Sequence, residues 1–334
     1  MSIKLFYGEE TYLLENKLKK IKKEFGELIK GINFIQIEEN NISEIISDIE
    51  TPAFGYEKKL IIAKDTGLFK KEKRKGKTKQ SIENEIKKNT NSLVDKLAEY
   101  ILKNSDIFSN DVTLIFVEKD ADKNELYKAI DKVGEVIHFE LLKLPQLVDN
   151  IKKICAAYKV NIDNDTARYF VECCGTSMQE LINEIRKLIE YVGPNETITK
   201  KYIDELSIKQ LDSVIFDLTD NLGKRDITKS LEVLNNLIYT KEPIQKILIT
   251  LYNHFKKLYI VKMCEKYKKD LAMAMKLKPN QLFLTTKYKA QSKYFTEKEL
   301  RTIMQEFIDL DANYKVGTID LNIGLESILC RYCS

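Results

Sequence analysis

IKLFYGEETYLLENKLKKIKKE, residues 3–24, sets out a strand, a tight turn and a helix in that order. Lys4 to Tyr7 is short, apolar and aromatic, as a buried strand should be. Leu14, Leu18, Ile21, Phe25 and Leu28 then recur at helical spacing. The period changes at Gly8, which is how a nucleotide-binding α/β domain begins. A phosphate-cradling loop here would read G-x-x-x-x-G-K-[ST], with freed backbone N–H groups, a lysine on the phosphates and a hydroxyl on Mg²⁺. Counting from Gly8, the chain carries Leu13, Leu14 and Glu15 where that motif needs Gly, Lys and Ser or Thr. Glu9 and Glu10, expected in the first helical turn, would take the positive helix end that attracts phosphate. Gly8 therefore reads as a plain strand-to-helix turn in a domain with the plan of an NTPase and no phosphate cradle.

Beyond this unit, residues 32–37 (INFIQI) read as a second strand. Ile42, Ile45, Ile46 and Ile49 mark a short helix, and residues 59–63 (KLIIA) a third strand. Between them lies Thr51-Pro52-Ala53-Phe54-Gly55, where Pro52 ends the helix. Phe54 has no periodic partner, so two readings stand: an exposed apolar residue at a helix end, or a staple packing the turn onto the sheet. Residues 70–79 (KKEKRKGKTK) carry Lys70, Lys71, Lys73, Arg74, Lys75, Lys77 and Lys79. Such a run is a solvated loop or a set of phosphate contacts on nucleic acid, without the interleaved aromatics that stack bases. Leu93, Leu97, Tyr100 and Ile101 resume a helix. Residues 112–117 (VTLIFV) are the most continuously apolar strand, expected at the sheet centre. Glu118 and Asp120 follow it, where an NTPase holds its Mg²⁺ ligand and catalytic carboxylate; without a cradle they read as capping and turn residues. A helix over 126–133 and a strand over 136–141 complete a β/α alternation, which predicts a five-stranded parallel sheet over residues 1–142.

After Pro145 no strand pattern appears. Helices are predicted over 147–158, 165–174, 177–191 and 199–206, a small helical domain at 143–208. Ser177 and Glu180 have capping-box spacing. A further set over 211–222, 226–238, 243–267, 270–275, 296–314 and 320–332 makes a third domain at 209–334, with Thr296 and Glu299 as another capping box. The fold class is thus an α/β N-terminal domain followed by two all-α domains.

The chain has 334 residues, 43% apolar, 32% charged, and a formal net charge of +4, so any nucleic-acid contact must come from a local patch. No apolar run approaches the roughly 18 residues of a membrane span, and no signal peptide is read at the N-terminus; the chain is expected to be cytoplasmic. The six cysteines are irregularly spaced, against a disulfide framework. Cys330 and Cys333 form a C-x-x-C with no second pair near it, read as helix-face residues in preference to a zinc or redox site. The two histidines, His138 in an apolar strand and His254 in an apolar helix, read as structural. No catalytic grouping, metal site or cofactor site is nominated.

Six strings in order carry a resemblance over nearly the whole length: LFYGEETYLLENKLKKI, TPAFGYEKKLIIA, LIFVEKDADKNELYKAI, GTSMQELINEIRKLIEY, VIFDLTDNLGKRDITKSLEVLNNLI and DLDANYKVGTIDLNIGLESIL. Together they resemble the delta subunits of bacterial DNA polymerase III clamp loaders. The resemblance implies an AAA+-like, three-domain protein whose nucleotide site is defunct and which has no catalytic residues or cofactor of its own. It implies partners: the ring-shaped sliding clamp (beta subunit), one interface of which it opens; the other loader subunits, through a C-terminal collar; and primed DNA within the assembly. Clamp contact is implied at Thr51, Pro52, Ala53 and Phe54. Many relatives have Leu-Phe where this chain has Ala53-Phe54. Asp311, Lys315 and Gly317 fit the family spacing, whereas residues 280–284 depart from a histidine-proline string. The alternative is an AAA+-like nucleic-acid-binding protein acting without a clamp, which would rest on residues 70–79.

Overall fold

In the computed structural model, which describes residues 3–70 and 82–333, the chain forms two compact units, 1–141 and 142–334. The first runs β1 (Ile3–Tyr7), α1 (Thr11–Phe25), β2 (Phe34–Ile37), α2 (Ile45–Glu50, entered through a 3₁₀ turn), β3 (Lys59–Lys64), α3 (Ile82–Lys103), α4 (Ile107–Asn110), β4 (Val112–Glu118), α5 (Glu125–Val133) and β5 (Glu135–His138). The strands make one five-stranded sheet, order β2-β3-β4-β1-β5, with every neighbouring pair parallel. The apolar run at 112–117 takes the central place expected of it. Side chains alternate across the sheet. Leu5, Ile61, Leu114 and Phe116 pack with Leu97, Ile101, Leu126 and Ile130 on one face. Phe6, Leu60, Ile62 and Ile115 pack with Leu14 and Leu18 of α1 on the other. Burial on both faces is what lets β3 and β4 be apolar without alternation.

Two strands are shorter than the apolar runs suggested. Ile32 lies outside β2, in a tight turn where the Ile29 carbonyl accepts from the N–H groups of Ile32, Asn33 and Phe34. The buried Asn33 amide ties that turn to Ile29 N–H and the Glu27 carbonyl. β5 ends at His138, whose ring is half-exposed and stacks on Tyr7 at 4.4 Å between centroids, so it is an edge residue and not a core one.

The second unit is helical: α6 (Leu144–Ala157), α7 (Asn164–Cys174), α8 (Met178–Val192), α9 (Lys200–Leu206), α10 (Leu211–Gly223), α11 (Ile227–Tyr239), α12 (Ile244–Tyr267), α13 (Leu271–Met275), α14 (Leu284–Ser292), α15 (Glu297–Lys315) and α16 (Leu321–Cys333). The core of α10–α16 is built on Leu251, Phe255 and Leu258 of α12, with Phe307 and Leu325 from the last two helices. The Thr296–Glu299 capping box forms, with reciprocal bonds of 3.2 and 2.7 Å. The Ser177–Glu180 box does not: Ser177 makes no side-chain cap, and the Glu180 carboxylate accepts instead from the Gln210 amide at 2.7 Å. A donor from elsewhere in the chain outcompetes the local one.

Helix α14 had no sequence signal, because the face it buries is Tyr288, Gln291 and Ser292 and not an apolar stripe. Gln291 Nε2 donates to the Phe216 carbonyl and to Asp220 Oδ1, so its Oε1 accepts from His254 Nε2 at 2.5 Å. His254 is fully enclosed, and burial pushes its pKa down to about 3, so it is a neutral core group, as its apolar helix indicated.

Candidate functional site

The β1–α1 junction is closed by backbone contacts. Gly8 has φ +135°, and a Cβ there would stand 2.2 Å from the Phe139 carbonyl oxygen, so only glycine permits this approach. The Gly8 N–H donates to the Glu118 carbonyl (3.2 Å) and the Glu10 N–H to the Phe139 carbonyl (3.1 Å). Both bonds tie the turn to neighbouring backbone, the first to the end of β4 and the second to the segment that follows β5. Helix α1 begins at Thr11, so Glu9 and Glu10 precede the first turn; Glu10 is its N-cap and is buried.

Glu118, at the C-terminal end of β4, sits where a metal-dependent NTPase would use a carboxylate. Its Oε1 accepts from Thr66 N–H (2.8 Å) and Thr66 Oγ1 (2.6 Å), pinning the segment that leaves β3. Burial raises its pKa, opposed by those two hydrogen bonds. This carboxylate is a turn-fixing group, as Asp120 is: its Oδ1 accepts from the Ala121 N–H. Lys70 emerges exposed just beyond the pinned segment. Lys71, Lys73, Arg74, Lys75, Lys77 and Lys79 lie outside the described residues.

Thr51, Pro52, Ala53 and Phe54 form the link between α2 and β3. Helix α2 is held by Ile45 and Ile49, both buried in the sheet core. Thr51 closes it with two bonds to the Ser47 carbonyl, from its N–H (3.0 Å) and its Oγ1 (2.7 Å). The Ala53 carbonyl then accepts from Tyr56 N–H at 2.9 Å, closing a four-residue turn with Phe54 and Gly55 at its corners. Gly55 has φ +81°, as the third position of a type II turn requires. Phe54 is 76% exposed, so the staple reading fails: the ring points away from the sheet.

Beneath this turn lies a residue that the sequence reading assigned only to the start of a strand. Lys59 is 2% exposed, and its ammonium donates to the carbonyls of Asp48 (2.6 Å) and Thr51. Burial lowers its pKa and the Asp48 carboxylate partly restores it. The one signal for it was a lysine opening an otherwise apolar strand.

In the second unit, Lys315 pairs with Asp311 at 2.6 Å, and Gly317 N–H donates to the Tyr314 carbonyl at φ +77°, closing α15. Asn280, in the string that departs from the family pattern, is buried and donates to Thr176 Oγ1 at 2.8 Å. Cys330 is exposed. Among the described residues no helix is long and apolar enough to cross a membrane, and no group of three or more His, Cys, Asp or Glu is placed to hold a metal ion.

A five-stranded parallel sheet of this order followed by a helical unit defines the class: an α/β domain joined to an all-α one. Residues 5–140 match the family "DNA polymerase III, delta subunit" and residues 212–332 match "DNA polymerase III delta subunit, C-terminal domain". The chain belongs to the DNA polymerase III delta subunit family. It is 26% identical over 331 residues to DNA polymerase III subunit delta of Bacillus subtilis (strain 168), covering 97% of this chain and 91% of that one. It is 27% identical over 322 residues to the probable DNA polymerase III subunit delta of Aquifex aeolicus (strain VF5), covering 93% and 85%. The solved Bacillus subtilis DNA clamp loader delta protein has the same fold, with a TM-score of 0.71 at 23% identity over 100% of this chain and 95% of that one.

Proposed function

We propose that this chain binds the sliding clamp through Thr51, Pro52, Ala53 and Phe54 and opens one interface of the ring for loading onto primed DNA. The observation that carries the reading is Phe54. A large apolar ring stands 76% exposed on a turn that its own hydrogen bonds and Gly55 hold fixed. A pre-ordered aromatic meets a partner's pocket at little entropic cost and is the residue type from which binding hot spots are made. Family membership supplies the partner class. Leu13, Leu14 and Glu15 in place of Gly, Lys and Ser or Thr support a subunit that neither binds nor hydrolyses ATP at this junction and leaves that chemistry to its neighbours.

In the same reading the chain divides into domains at 1–142, 143–208 and 209–334, with the last joining other loader subunits as a collar. Lys70 and the basic run that follows it are the proposed contacts to DNA, acting through phosphate charge. The test is capture of the purified sliding clamp by the purified chain alone. Stoichiometric capture is expected, and no capture at micromolar concentrations of both would refute it.

A further inference from the structure

Helix α2 has six residues, too few to be stable by itself, and its last turn lacks a donor. An α-helical carbonyl accepts from the N–H four residues on. For Ser47 that donor is Thr51. For Asp48 it would be residue 52, which is proline and has no N–H. The Asp48 carbonyl and the Thr51 carbonyl beyond it both receive the Lys59 ammonium instead. A cation at the C-terminal end of a helix also faces the negative end of its dipole. Burying an ammonium is costly unless it is fully engaged, and Lys59 is 2% exposed at the head of a strand whose next four residues, Leu60, Ile61, Ile62 and Ala63, are at most 1% exposed.

We infer that Lys59 is a positioning residue for the clamp contact: its ammonium substitutes for the N–H that Pro52 lacks and fixes the turn that presents Phe54. This rests on the clamp-binding reading of residues 51–54. Proline gives the link its stiffness and removes a backbone donor in the same step; Lys59 restores the donor from the neighbouring strand. The strand is the most rigid support available, since Lys59 is itself paired in register with Val112 of the central β4.

The experiment is a double-mutant cycle on the full chain, with Lys59→Met, Phe54→Ala and both together, read by clamp affinity and by hydrogen–deuterium exchange. Lys59→Met keeps the apolar stem and removes the donors. It should weaken clamp binding on the order of tenfold by releasing a pre-ordered turn, and raise exchange in 51–56 while β3 and β4 stay protected. In the Phe54→Ala background it should cost nothing further, a non-additivity that general destabilisation does not produce. Equal losses in both backgrounds, or wild-type affinity and exchange in Lys59→Met, would overturn the positioning role and leave the clamp-binding reading standing. Wild-type affinity in Phe54→Ala overturns that reading itself. If Lys59→Met does not fold, nitrogen-15 NMR of the wild-type chain decides. Slowly exchanging Lys59 ammonium protons coupled to the carbonyl carbons of Asp48 and Thr51 are expected, and their absence refutes the proposal.

Discussion

Replacing Phe54 with alanine separates a surface anchor from a core residue by magnitude. A buried aromatic covers roughly 150–250 Å², and 76% of Phe54 is available to a partner. At about 25 cal/mol per Å² that sets a ceiling of roughly 3–5 kcal/mol on truncation. Partial coverage and the methyl group that alanine retains bring the expected loss to about 2–3 kcal/mol, or roughly 30- to 150-fold in affinity. The free chain should scarcely notice, because an exposed ring contributes little to folding; a change within about 0.5 kcal/mol is expected. The assay is calorimetric titration of the clamp into each variant, beside thermal melts and a fluorescence reporter across the clamp interface. Ala53, the residue before Phe54, is half-buried, and Ala53→Leu should tighten binding by adding apolar area to the proposed contact. A Phe54→Ala chain that opens the clamp as well as wild type, or that loses binding only because it melts early, would refute the reasoning.

Three further outcomes follow from other parts of the molecule. Calorimetry with Mg²⁺ and ATP should show no stoichiometric binding to the isolated chain, since Leu13, Leu14 and Glu15 replace the phosphate and metal residues and the Gly8 and Glu10 N–H groups are committed; a one-to-one isotherm would contradict this. Deleting residues 70–79 should leave clamp affinity within about twofold while reducing the salt dependence of DNA binding by the assembled loader, because that run acts through phosphate charge; a folded deletion with collapsed clamp affinity would show the wrong surface has been assigned. His254 makes stability fall on acidification. Its folded pKa, about 3, lies below the unfolded value, so the unfolded chain takes up the extra proton. The stability it contributes is complete above about pH 6.5 and is lost at about 1.4 kcal/mol per pH unit as pH falls toward 3. Denaturant melts at pH 7 and pH 5 should differ by about 2 kcal/mol in the wild type and lose that difference in His254→Gln, and equal differences in the two chains would refute it.

The parallel sheet follows from β/α alternation, and the central place of β4 from the unbroken apolar run at 112–117, because a strand buried on both faces does not alternate; the order of the other strands was not legible. The ends of β2 and β5 were not legible. Ile32 and Leu141 extend apolar runs that hydrogen bonding cuts short, and periodicity records burial tendency, not where a ladder stops. Helix α14 was invisible because a buried Gln–His–Asp network, and not a stripe of leucines, holds it. The departure from the phosphate motif is readable at Leu13, Leu14 and Glu15, but the carbonyl that crowds Gly8 comes from Phe139, far along the chain. For Phe54 the sequence left exposure open. Lys59 was hidden for a different reason: its role depends on a missing N–H at Pro52, and a sequence shows side chains more readily than it shows absent donors.

The close approach of the Phe139 carbonyl to Gly8 ties the start of α1 to a segment far along the chain. Writing Gly, Lys and Thr at positions 13–15 would recreate the residues of the phosphate motif while the Glu118 and Phe139 carbonyls still hold the N–H groups of Gly8 and Glu10. The helix start, the end of β4 and the segment after β5 are joined by these hydrogen bonds, so a change in one breaks bonds to the others. Any redesign of the β1–α1 turn therefore begins with the path of the chain at 138–140.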